Sequence, residues 1–413
     1  MQFDYLNRNI ESEIINLSGK YKVLLVTGPR QVGKTTLLKY LSEKNRKYIN
    51  LDDLSMRTQA MTDPELFLER YTPPIFIDEI QNAPQLLKYI KTYVNEKAVN
   101  GDIWLCGSQK FPLVNEVLTT LAPFVAVIDL QGLTSSEIYK TNNIEPFNPK
   151  IDNLTKRLKR INKLSLKRIY NIIWKGSMPA LYNGTTKDWQ NYYASYVQTF
   201  FYFDIMKILQ INDEVLFFKF LSAAAAQIGR LINYAELAKA ADISAPTAKQ
   251  WIKTLESAGI IYLLNPFMPP GTKYIVKAPK LYFFDTGLAA YLCRWNNSEI
   301  LELGVMNAEF LENWVVMEIY KSYINKNITP PLFYLKNFNG KEIQLIIYNN
   351  DKMYPILIKN ATSAAKDIKI FAILKPVSND AKIKIAEGGV ICLINDLAQI
   401  SESLYYIPVW ALQ

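Results

Sequence analysis

The sequence predicts an α/β fold in which a parallel sheet with flanking helices precedes a helical region and a second group of short strands. Two observations predict it. Short apolar, β-branched runs alternate with helical stretches over about the first 145 residues, a pattern typical of parallel βαβ units. Beyond that point the pattern is mainly helical to about residue 265, and short strands return from residue 330.

Four short apolar runs predict the buried strands of the N-terminal sheet. They are Val23–Thr27, Ile75–Ile77, Ile103–Leu105 and Val125–Ile128. The first run breaks at Gly28-Pro29, and residues 34–45 after it favour a helix. The later strands are predicted over Leu332–Leu335, Glu342–Tyr348 and Tyr354–Lys359.

Composition excludes several classes of function. The chain has 413 residues, enough for two or three domains, and 49% of them are hydrophobic, as in globular proteins. Histidine is absent, which excludes serine-histidine and cysteine-histidine nucleophiles and histidine-ligated metals. Cys106, Cys293 and Cys392 are widely spaced and odd in number, so we expect a reducing cytoplasm rather than disulfides or zinc. The N-terminus lacks the apolar core of a signal peptide, and no run of 18 apolar residues predicts a membrane span.

The loop after the first strand fits the phosphate-loop pattern G-x-x-x-x-G-K-[ST] in full, between a strand and a helix. Its backbone amides and the helix N-terminus are expected to surround a nucleotide phosphate, here ATP. Lys34 would bridge the β- and γ-phosphates, and the Thr35 hydroxyl would bind Mg²⁺. The alternative is a chance glycine turn. The predicted binding residues are Gly28, Pro29, Arg30, Gln31, Val32, Gly33, Lys34, Thr35 and Thr36.

Polar residues after two further strands complete the predicted site. Asp78 ends a buried strand and is assigned to Mg²⁺, and Glu79 is assigned as the general base that activates water. Ser108 follows the next strand and is expected to sense the γ-phosphate or its water. Adjacent acids also occur in ordinary helix caps, so the assignment depends on the phosphate loop upstream.

The net charge of +9 is concentrated in one short run. Residues 1–150 hold 17 basic and 17 acidic residues, whereas residues 151–200 hold 9 and 2. The run contains no acid and is interleaved with leucine and isoleucine, which predicts an amphipathic helix. Such a stripe can bind the phosphates of DNA or an acidic lipid, and the alternative is a solvated helix face beside a domain junction. Its basic residues are Lys156, Arg157, Lys159, Arg160, Lys163, Lys167 and Arg168.

A helix-turn-helix is predicted by helical segments at Ala235–Lys239 and Thr247–Leu255, with a turn near Asp242–Ser244. Ser244 can cap the second helix, and Pro246 suits its first turn. The segment serves either to bind DNA or to pack within the protein. The predicted DNA contacts are Lys249, Gln250, Lys253, Lys273 and Lys277.

The order of these motifs resembles the AAA+ ATPases, and longer strings resemble one prokaryotic family within them. The N-terminal strings are GPRQVGKTTLL, YINLDD, FIDEIQNAPQLL and GSQ. The later strings are GSMPALY, YVQTFFYFDI, INYAELAKAADISAPTAKQWIKTLESAGIIYLLNPF and KAPKLYFFDTGLAAYL. The resemblance implies an ATPase domain over residues 1–150, a helical lid over 151–225, a winged helix over 226–300 and a nuclease-like α/β domain over 301–413.

The chain departs from that family in ways that bear on its activity. Leu121-Ala122-Pro123-Phe124 stands where the family usually has Gly-Arg, so an arginine that could act on a γ-phosphate is missing. The family's nuclease-like strings, Glu-Ile-Asp and Ile-Glu-Ile-Lys, become Glu342-Ile343-Gln344 and Ile356-Leu357-Ile358-Lys359, which predicts no nuclease activity.

Two functional hypotheses follow. One is a Mg²⁺-dependent ATPase that switches a nucleic-acid or protein partner, or a second copy of the chain. The other is a nucleotide-binding interaction module with little turnover. The Asp78-Glu79 pair favours the first hypothesis, and the missing arginine near Phe124 favours the second.

Overall fold

Five parallel strands form the sheet of the N-terminal third of the chain. The structure is a computed structural model, and it describes residues 4–108, 110–141, 145–209, 211, 213–269, 276–362 and 366–413. The strands are β1 (Val23–Thr27), β2 (Lys47–Asn50), β3 (Ile75–Asp78), β4 (Ile103–Gly107) and β5 (Val125–Asp129). Their order in the sheet is β2-β3-β4-β1-β5, so β1 has a parallel neighbour on each side.

Helices cover both faces of this sheet. They are α1 (Glu11–Ser18), α2 (Lys34–Leu41), α3 (Leu54–Thr62), α4 (Pro64–Arg70), α5 (Leu86–Glu96), α6 (Lys110–Leu121) and α7 (Ser135–Tyr139), with a 3₁₀ turn at Ile80–Asn82. Leu24 and Val26 face one apolar core with α1 and α2, whereas Val23 and Leu25 face another with α5 and α6. This alternation along β1 explains why every residue of the strand is buried.

The four predicted N-terminal strands are confirmed, and two details differ. The sheet also contains β2, whose first two residues are exposed, so no apolar run marks it in the sequence. Helix α2 ends at Leu41 instead of residue 45 because Ser42 adopts extended backbone angles.

The middle of the chain is helical, as predicted, and ends in a helix-turn-helix followed by two antiparallel strands. Asp242 makes the turn with a left-handed backbone, and the Ser244 hydroxyl accepts from the Thr247 amide at 3.1 Å, which confirms the predicted cap. The elements are α8 (Ile151–Leu158), α9 (Leu166–Lys175), a 3₁₀ turn (Pro179–Leu181), α10 (Trp189–Tyr196), a π-helix (Val197–Ile205), α11 (Met206–Leu209), α12 (Glu214–Ala225), α13 (Tyr234–Ala241), α14 (Ala245–Ser257), β6 (Ile261–Leu264), β7 (Lys280–Phe283), α15 (Thr286–Leu292) and α16 (Ser298–Leu303).

A seven-stranded mixed sheet forms the C-terminal part. Its elements are α17 (Asn307–Ile324), β8 (Leu332–Lys336), β9 (Glu342–Asn349), β10 (Lys352–Lys359), a 3₁₀ segment (Lys366–Ile373), α18 (Leu374–Ala381), β11 (Lys384–Ile385), β12 (Gly388–Cys392), β13 (Ala398–Ser401), β14 (Leu404–Pro408) and a last 3₁₀ turn (Val409–Leu412). The strand order is β13-β14-β12-β10-β9-β8, with β11 beside β10. The three strands predicted from sequence are therefore confirmed. In the described part of the chain, no helix has both the length and the apolar character needed to cross a membrane.

Candidate nucleotide-binding site

The loop between β1 and α2 is tight, and glycine is required at both of its fixed positions. Gly28 has φ +144, and a Cβ there would lie 2.0 Å from the Leu130 carbonyl oxygen. Gly33 has φ +92 and immediately precedes the first residue of α2. Gln31 also has a left-handed backbone. The loop therefore wraps closely onto the N-terminus of a helix, the arrangement that binds anions in proteins.

Lys34 lies across the phosphate loop. Its ammonium group donates hydrogen bonds to the carbonyl oxygens of Gly28 at 3.0 Å and Pro29 at 2.8 Å. The side chain is buried, and burial lowers the pKa of Lys34 while Glu79 and Asp78 oppose that shift. A phosphate at the loop would give this cation the charged partner that the two carbonyl oxygens only partly replace.

Asp78 and Thr35 meet at the end of β3. Asp78 Oδ2 accepts hydrogen bonds from the Thr35 hydroxyl at 2.8 Å and the Tyr48 hydroxyl at 3.1 Å. Asp78 Oδ1 is buried and has no hydrogen-bond partner. A buried carboxylate with an unsatisfied oxygen beside a hydroxyl fits Mg²⁺, which proteins bind through one or two carboxylates together with substrate phosphates. The structure thus brings together the two residues predicted to hold the metal.

Glu79 and Ser108 also lie together, and Gln81, which was not predicted from the sequence, contacts both of them. Glu79 Oε2 accepts from the Ser108 hydroxyl at 3.3 Å and from the Gln81 side-chain amide, and that amide also contacts Ser108 Oγ at 3.3 Å. Gly107 leaves room for this arrangement, because a Cβ there would lie 2.5 Å from Gln81 Oε1. The position of Gln81, two residues after Glu79 at the same strand end, is the signal that could have identified it.

The described domains match three family models. An AAA domain matches residues 20–139, a domain of unknown function (DUF8612) matches residues 166–299, and a domain of unknown function (DUF4143) matches residues 308–412. The chain carries an AAA domain of the P-loop ATPase class. A DUF4143 domain forms its C-terminal part.

Two similar proteins and two solved structures share at most about a quarter of their aligned residues with this chain. Uncharacterized protein Rv2008c of Mycobacterium tuberculosis and Uncharacterized protein Mb2031c of Mycobacterium bovis are each 24% identical over 344 residues, which are 83% of this chain and 71% of theirs. The Walker-type ATPase of Pyrococcus abyssi is 14% identical, covers 70% of this chain and 96% of its own, and has a TM-score of 0.43. AMPPCP-bound DnaA from Aquifex aeolicus is 13% identical, with coverages of 61% and 93% and a TM-score of 0.28.

The N-terminal segment supports the phosphate loop of the AAA domain through Arg8. The buried guanidinium donates to the carbonyl oxygens of Val32 at 2.9 Å and Gln131 at 2.6 Å, and pairs with Glu137 at 3.1 Å. Beside it, a cavity of about 60 Å³ adjoins Gly33 and Thr36 and is bounded by Tyr5, Arg8 and Pro179. Arg8 was not predicted, because its partners lie 24 to 129 residues away in sequence.

The predicted basic helix is wrong, because the run spans two helices and the turn between them. Helix α8 ends at Leu158, and α9 begins at Leu166, where the Ser165 hydroxyl caps it. Arg157 is buried against Phe147 and bonds to Asn153. Two lysines of the run form ion pairs with acids elsewhere, Lys163 with Asp396 and Lys167 with Glu299. Both of these lysines are nevertheless exposed, and the exposed basic side chains outside the two ion pairs are those of Lys156, Lys159, Arg160 and Arg168.

The predicted DNA-contact residues of the helix-turn-helix are exposed where the structure describes them. Lys249, Gln250 and Lys253 lie on the outer face of α14, whose inner face buries Trp251 and Leu255. Lys277 is exposed before β7. Lys273 lies outside the described residues.

The acids nearest the predicted nuclease-like strands have other partners. The ammonium group of Lys280, which is buried, lies 2.5 Å from Glu312 and 2.6 Å from Glu342. Gln344 Oε1 accepts from the Ile358 amide at 3.3 Å, and Leu357 is buried in the apolar core. The sheet itself is well packed, since the strand residues Leu345, Ile347, Ile356 and Ile358 are all buried.

Proposed function

We propose that the AAA domain binds ATP with Mg²⁺ and hydrolyses it, and that this cycle switches the protein's interaction with a nucleic-acid or protein partner. The observation that carries the proposal is the pair of adjacent carboxylates at the end of β3. Asp78 is hydrogen-bonded to the phosphate-loop hydroxyl of Thr35, while Glu79 is held beside Ser108 on the neighbouring strand. In this proposal Asp78 faces the phosphate loop, and Glu79 faces the position from which water would attack the γ-phosphate.

Each residue of the site has a separable role in this proposal. Residues Gly28–Thr36 bind the phosphates, and Lys34 leaves the two loop carbonyl oxygens to bind the β- and γ-phosphate oxygens. Thr35 and Asp78 hold Mg²⁺, which neutralises charge on those phosphates when bound. Glu79 accepts the proton of the attacking water, and Ser108 contacts the γ-phosphate or that water.

Gln81 is a positioning residue in the same scheme. Its amide nitrogen holds the Glu79 carboxylate, and its carbonyl oxygen is buried without a partner. A water molecule that donates to this oxygen would lie next to Glu79, where a general base needs it.

The second candidate function is a nucleotide-binding interaction module with little turnover. It is favoured by the segment Leu121-Ala122-Pro123-Phe124, which has no arginine and whose Phe124 packs against the core under α5 and α6. A cation for the γ-phosphate would then come from a partner or a second copy, and turnover by the isolated chain would be slow.

We propose that DNA is the partner, bound by the exposed basic residues of the run and by the helix-turn-helix as a winged helix. The outward direction of Lys249 and Lys253 supports this proposal, and so does the two-stranded sheet that follows α14.

A phosphate-release assay on the wild type and Glu79→Gln, with and without DNA, tests the proposed function. We expect the wild type to release phosphate and Glu79→Gln to lose about 10²-fold or more in rate while still binding nucleotide, because the amide keeps the shape but cannot accept the proton. Equal rates for the two proteins would remove Glu79 from its role. Nucleotide binding without phosphate release by the wild type, with or without DNA, would favour the interaction module.

A further inference from the structure

One short segment links the phosphate loop to the C-terminal part of the chain. This junction segment, residues 130–137, runs from the end of β5 into α7. The Leu130 amide bonds to the Thr27 carbonyl at 2.8 Å, and the Leu130 carbonyl oxygen lies against Gly28 at the start of the phosphate loop. Leu130 and the start of the phosphate loop are therefore closely packed, so a displacement of the loop toward Leu130 would press on the junction segment.

Arg8 makes a second connection between the same two parts. One nitrogen of its guanidinium bonds to Val32 in the phosphate loop, and another bonds to Gln131 in the junction segment. The third bonds to Glu137, at the other end of the segment. The rigid fork of a buried arginine fixes these three positions relative to one another.

The C-terminal domain holds the junction segment from the opposite side, through two buried charges on α17. Glu318 Oε2 accepts from the amide and the hydroxyl of Ser135, both at 2.9 Å. Lys321 donates to the Leu133 carbonyl at 2.7 Å and pairs with Glu318 at 2.6 Å. We call this pair the α17 clamp.

The α17 clamp is better suited to fixing the position of the junction segment than to stabilising the fold. Removing two charges from water costs about as much as their attraction returns, so a buried ion pair contributes little net stability. Its directed hydrogen bonds, however, tolerate little displacement of Ser135 and Leu133. The clamp is also the part of α17 that meets the segment leading to the phosphate loop.

We propose that the α17 clamp sets the nucleotide affinity of the AAA domain, so that the DUF4143 domain regulates the site within the same chain. The clamp fixes the junction segment, and the segment fixes the phosphate loop through Leu130 and Arg8 in the shape that binds phosphate. Coupling between two sites is reciprocal, so nucleotide binding strengthens the docking of α17. This inference rests on the proposed function insofar as the loop must bind nucleotide.

The first test measures the affinity for a fluorescent ATP analogue by titration of Glu318→Gln/Lys321→Met. Both charges are removed together, so neither is left buried without its partner. We expect binding about tenfold weaker than that of the wild type, within the range usual for coupled sites. The matched control is Glu309→Gln, on the same helix, because Glu309 pairs with Arg230 and does not contact the junction segment. Equal affinities for the double variant and the control would overturn the inference.

The second test leaves the α17 clamp unchanged, so it tests the coupling even if the double variant does not fold. Hydrogen exchange of the wild type is measured over Asn307–Ile324 with and without ATP, and Lys34→Ala serves as the control. We expect nucleotide to slow exchange at the C-terminal half of this helix in the wild type only. Nucleotide binding with unchanged exchange would contradict the coupling and leave the proposed function intact. No binding of the analogue by the wild type would remove both.

Discussion

At the scale of single residues, the candidate site depends on side chains that are charged and yet buried. Lys34, Asp78 and Arg8 are each less than a tenth exposed, and each has hydrogen bonds to backbone or hydroxyl groups of the AAA domain. Buried charges without full partners are costly, and here the unsatisfied atom is Asp78 Oδ1. Mg²⁺ at this position would supply a partner for that oxygen, which fits the proposed function.

Lys34→Ala is expected to abolish nucleotide binding and leave the protein folded. The ammonium group bonds to the loop itself and to no distant element, so its loss removes the phosphate partner with little effect on packing. Binding of a labelled ATP analogue measures the effect, and circular dichroism checks the fold. Affinity equal to that of the wild type would show that the phosphate site is placed wrongly.

Two of the residues that the sequence missed, Tyr48 and Arg8, have partners far away along the chain. Gly28, Lys34 and Thr35 belong to one local pattern, and the structure places them together. Tyr48 reaches Asp78 from an edge strand with little apolar character, and Arg8 reaches Gln131 across 123 residues. Such long-range hydrogen bonds have no local pattern, so a single sequence does not reveal them.

At the scale of elements, the basic run shows how charge spacing alone misleads. Its leucines and isoleucines have helical spacing, yet Ser165 begins a new helix, and Arg157 turns inward to bond with Asn153. Six of the seven basic residues are exposed, but Lys163 and Lys167 are paired with acids. Four exposed residues therefore lie outside these ion pairs, at Lys156, Lys159, Arg160 and Arg168. The surface that DNA would contact is smaller than the sequence suggested.

The triple variant Lys156→Ser/Lys159→Ser/Arg160→Ser should bind DNA more weakly than the wild type. Its affinity should also depend less steeply on the salt concentration. Each lost phosphate contact should flatten the log–log salt slope by about 0.9, because fewer counterions are released. Filter binding or anisotropy with a random duplex at several salt concentrations measures the slope. Arg157 is left unchanged, since its substitution would disturb packing. The matched control is Lys163→Ser/Lys167→Ser, whose lysines are paired with acids. If the wild type does not bind DNA even at low salt, the exposed residues are a solvated face.

The ion cluster around Lys280 predicts a stability effect at the same scale. Burial alone would lower the pKa of Lys280, but Glu312 and Glu342 raise it above its usual range. Lys280→Met should reduce the free energy of unfolding by about 3 kcal/mol at pH 7, because it leaves the largely buried Glu312 without this cation and Glu342 with only the more exposed Lys336. Lys336→Met, at a more exposed partner of Glu342, is the control and should cost much less.

Denaturant unfolding over a range of pH measures this difference. The raised pKa means that the stabilisation by Lys280 is complete below its unfolded pKa of about 10.4 and is lost as the pH rises through the folded value. The gap between wild type and Lys280→Met should therefore narrow at strongly alkaline pH. A gap that is absent at pH 7 would contradict the role given to the cluster.

At the scale of the whole molecule, the parts of the chain share one apolar core. The cluster that begins under α1 and α2 continues through α9, α12 and α17 to the C-terminal sheet. Gly259, in the turn after α14, lies close to the phosphate loop, since a Cβ at this glycine would be 3.1 Å from Pro29 Cγ. Domains with separate cores move independently more easily than parts that share one. A nucleotide at the loop is therefore well placed to affect the parts beyond the AAA domain.

The C-terminal domain is expected to have no nuclease activity, because the acidic residues nearest its nuclease-like strands are bound to partners other than a metal ion. A metal-dependent nuclease of this type needs two or three carboxylates around Mg²⁺ and a lysine near the attacking water. Glu312 and Glu342 share the cation of Lys280, and Glu318 is used in docking to Ser135. Among the described residues, no group of three or more aspartate, glutamate, cysteine or histidine side chains is arranged to hold a metal ion.

A plasmid-cleavage assay with Mg²⁺ and Mn²⁺, with and without ATP, tests this expectation. Lys359 is the basic residue that matches the family's nuclease pattern, so Lys359→Ala is the informative variant. We expect no cleavage by either protein under any of these conditions, because Gln344 bonds to the Ile358 amide and Leu357 is buried, so neither supplies a charged ligand. Cleavage by the wild type that disappears in Lys359→Ala would show that this sheet retains a catalytic site. Cleavage that persists in the variant would point to a contaminating nuclease, since the only basic residue of the pattern would be gone.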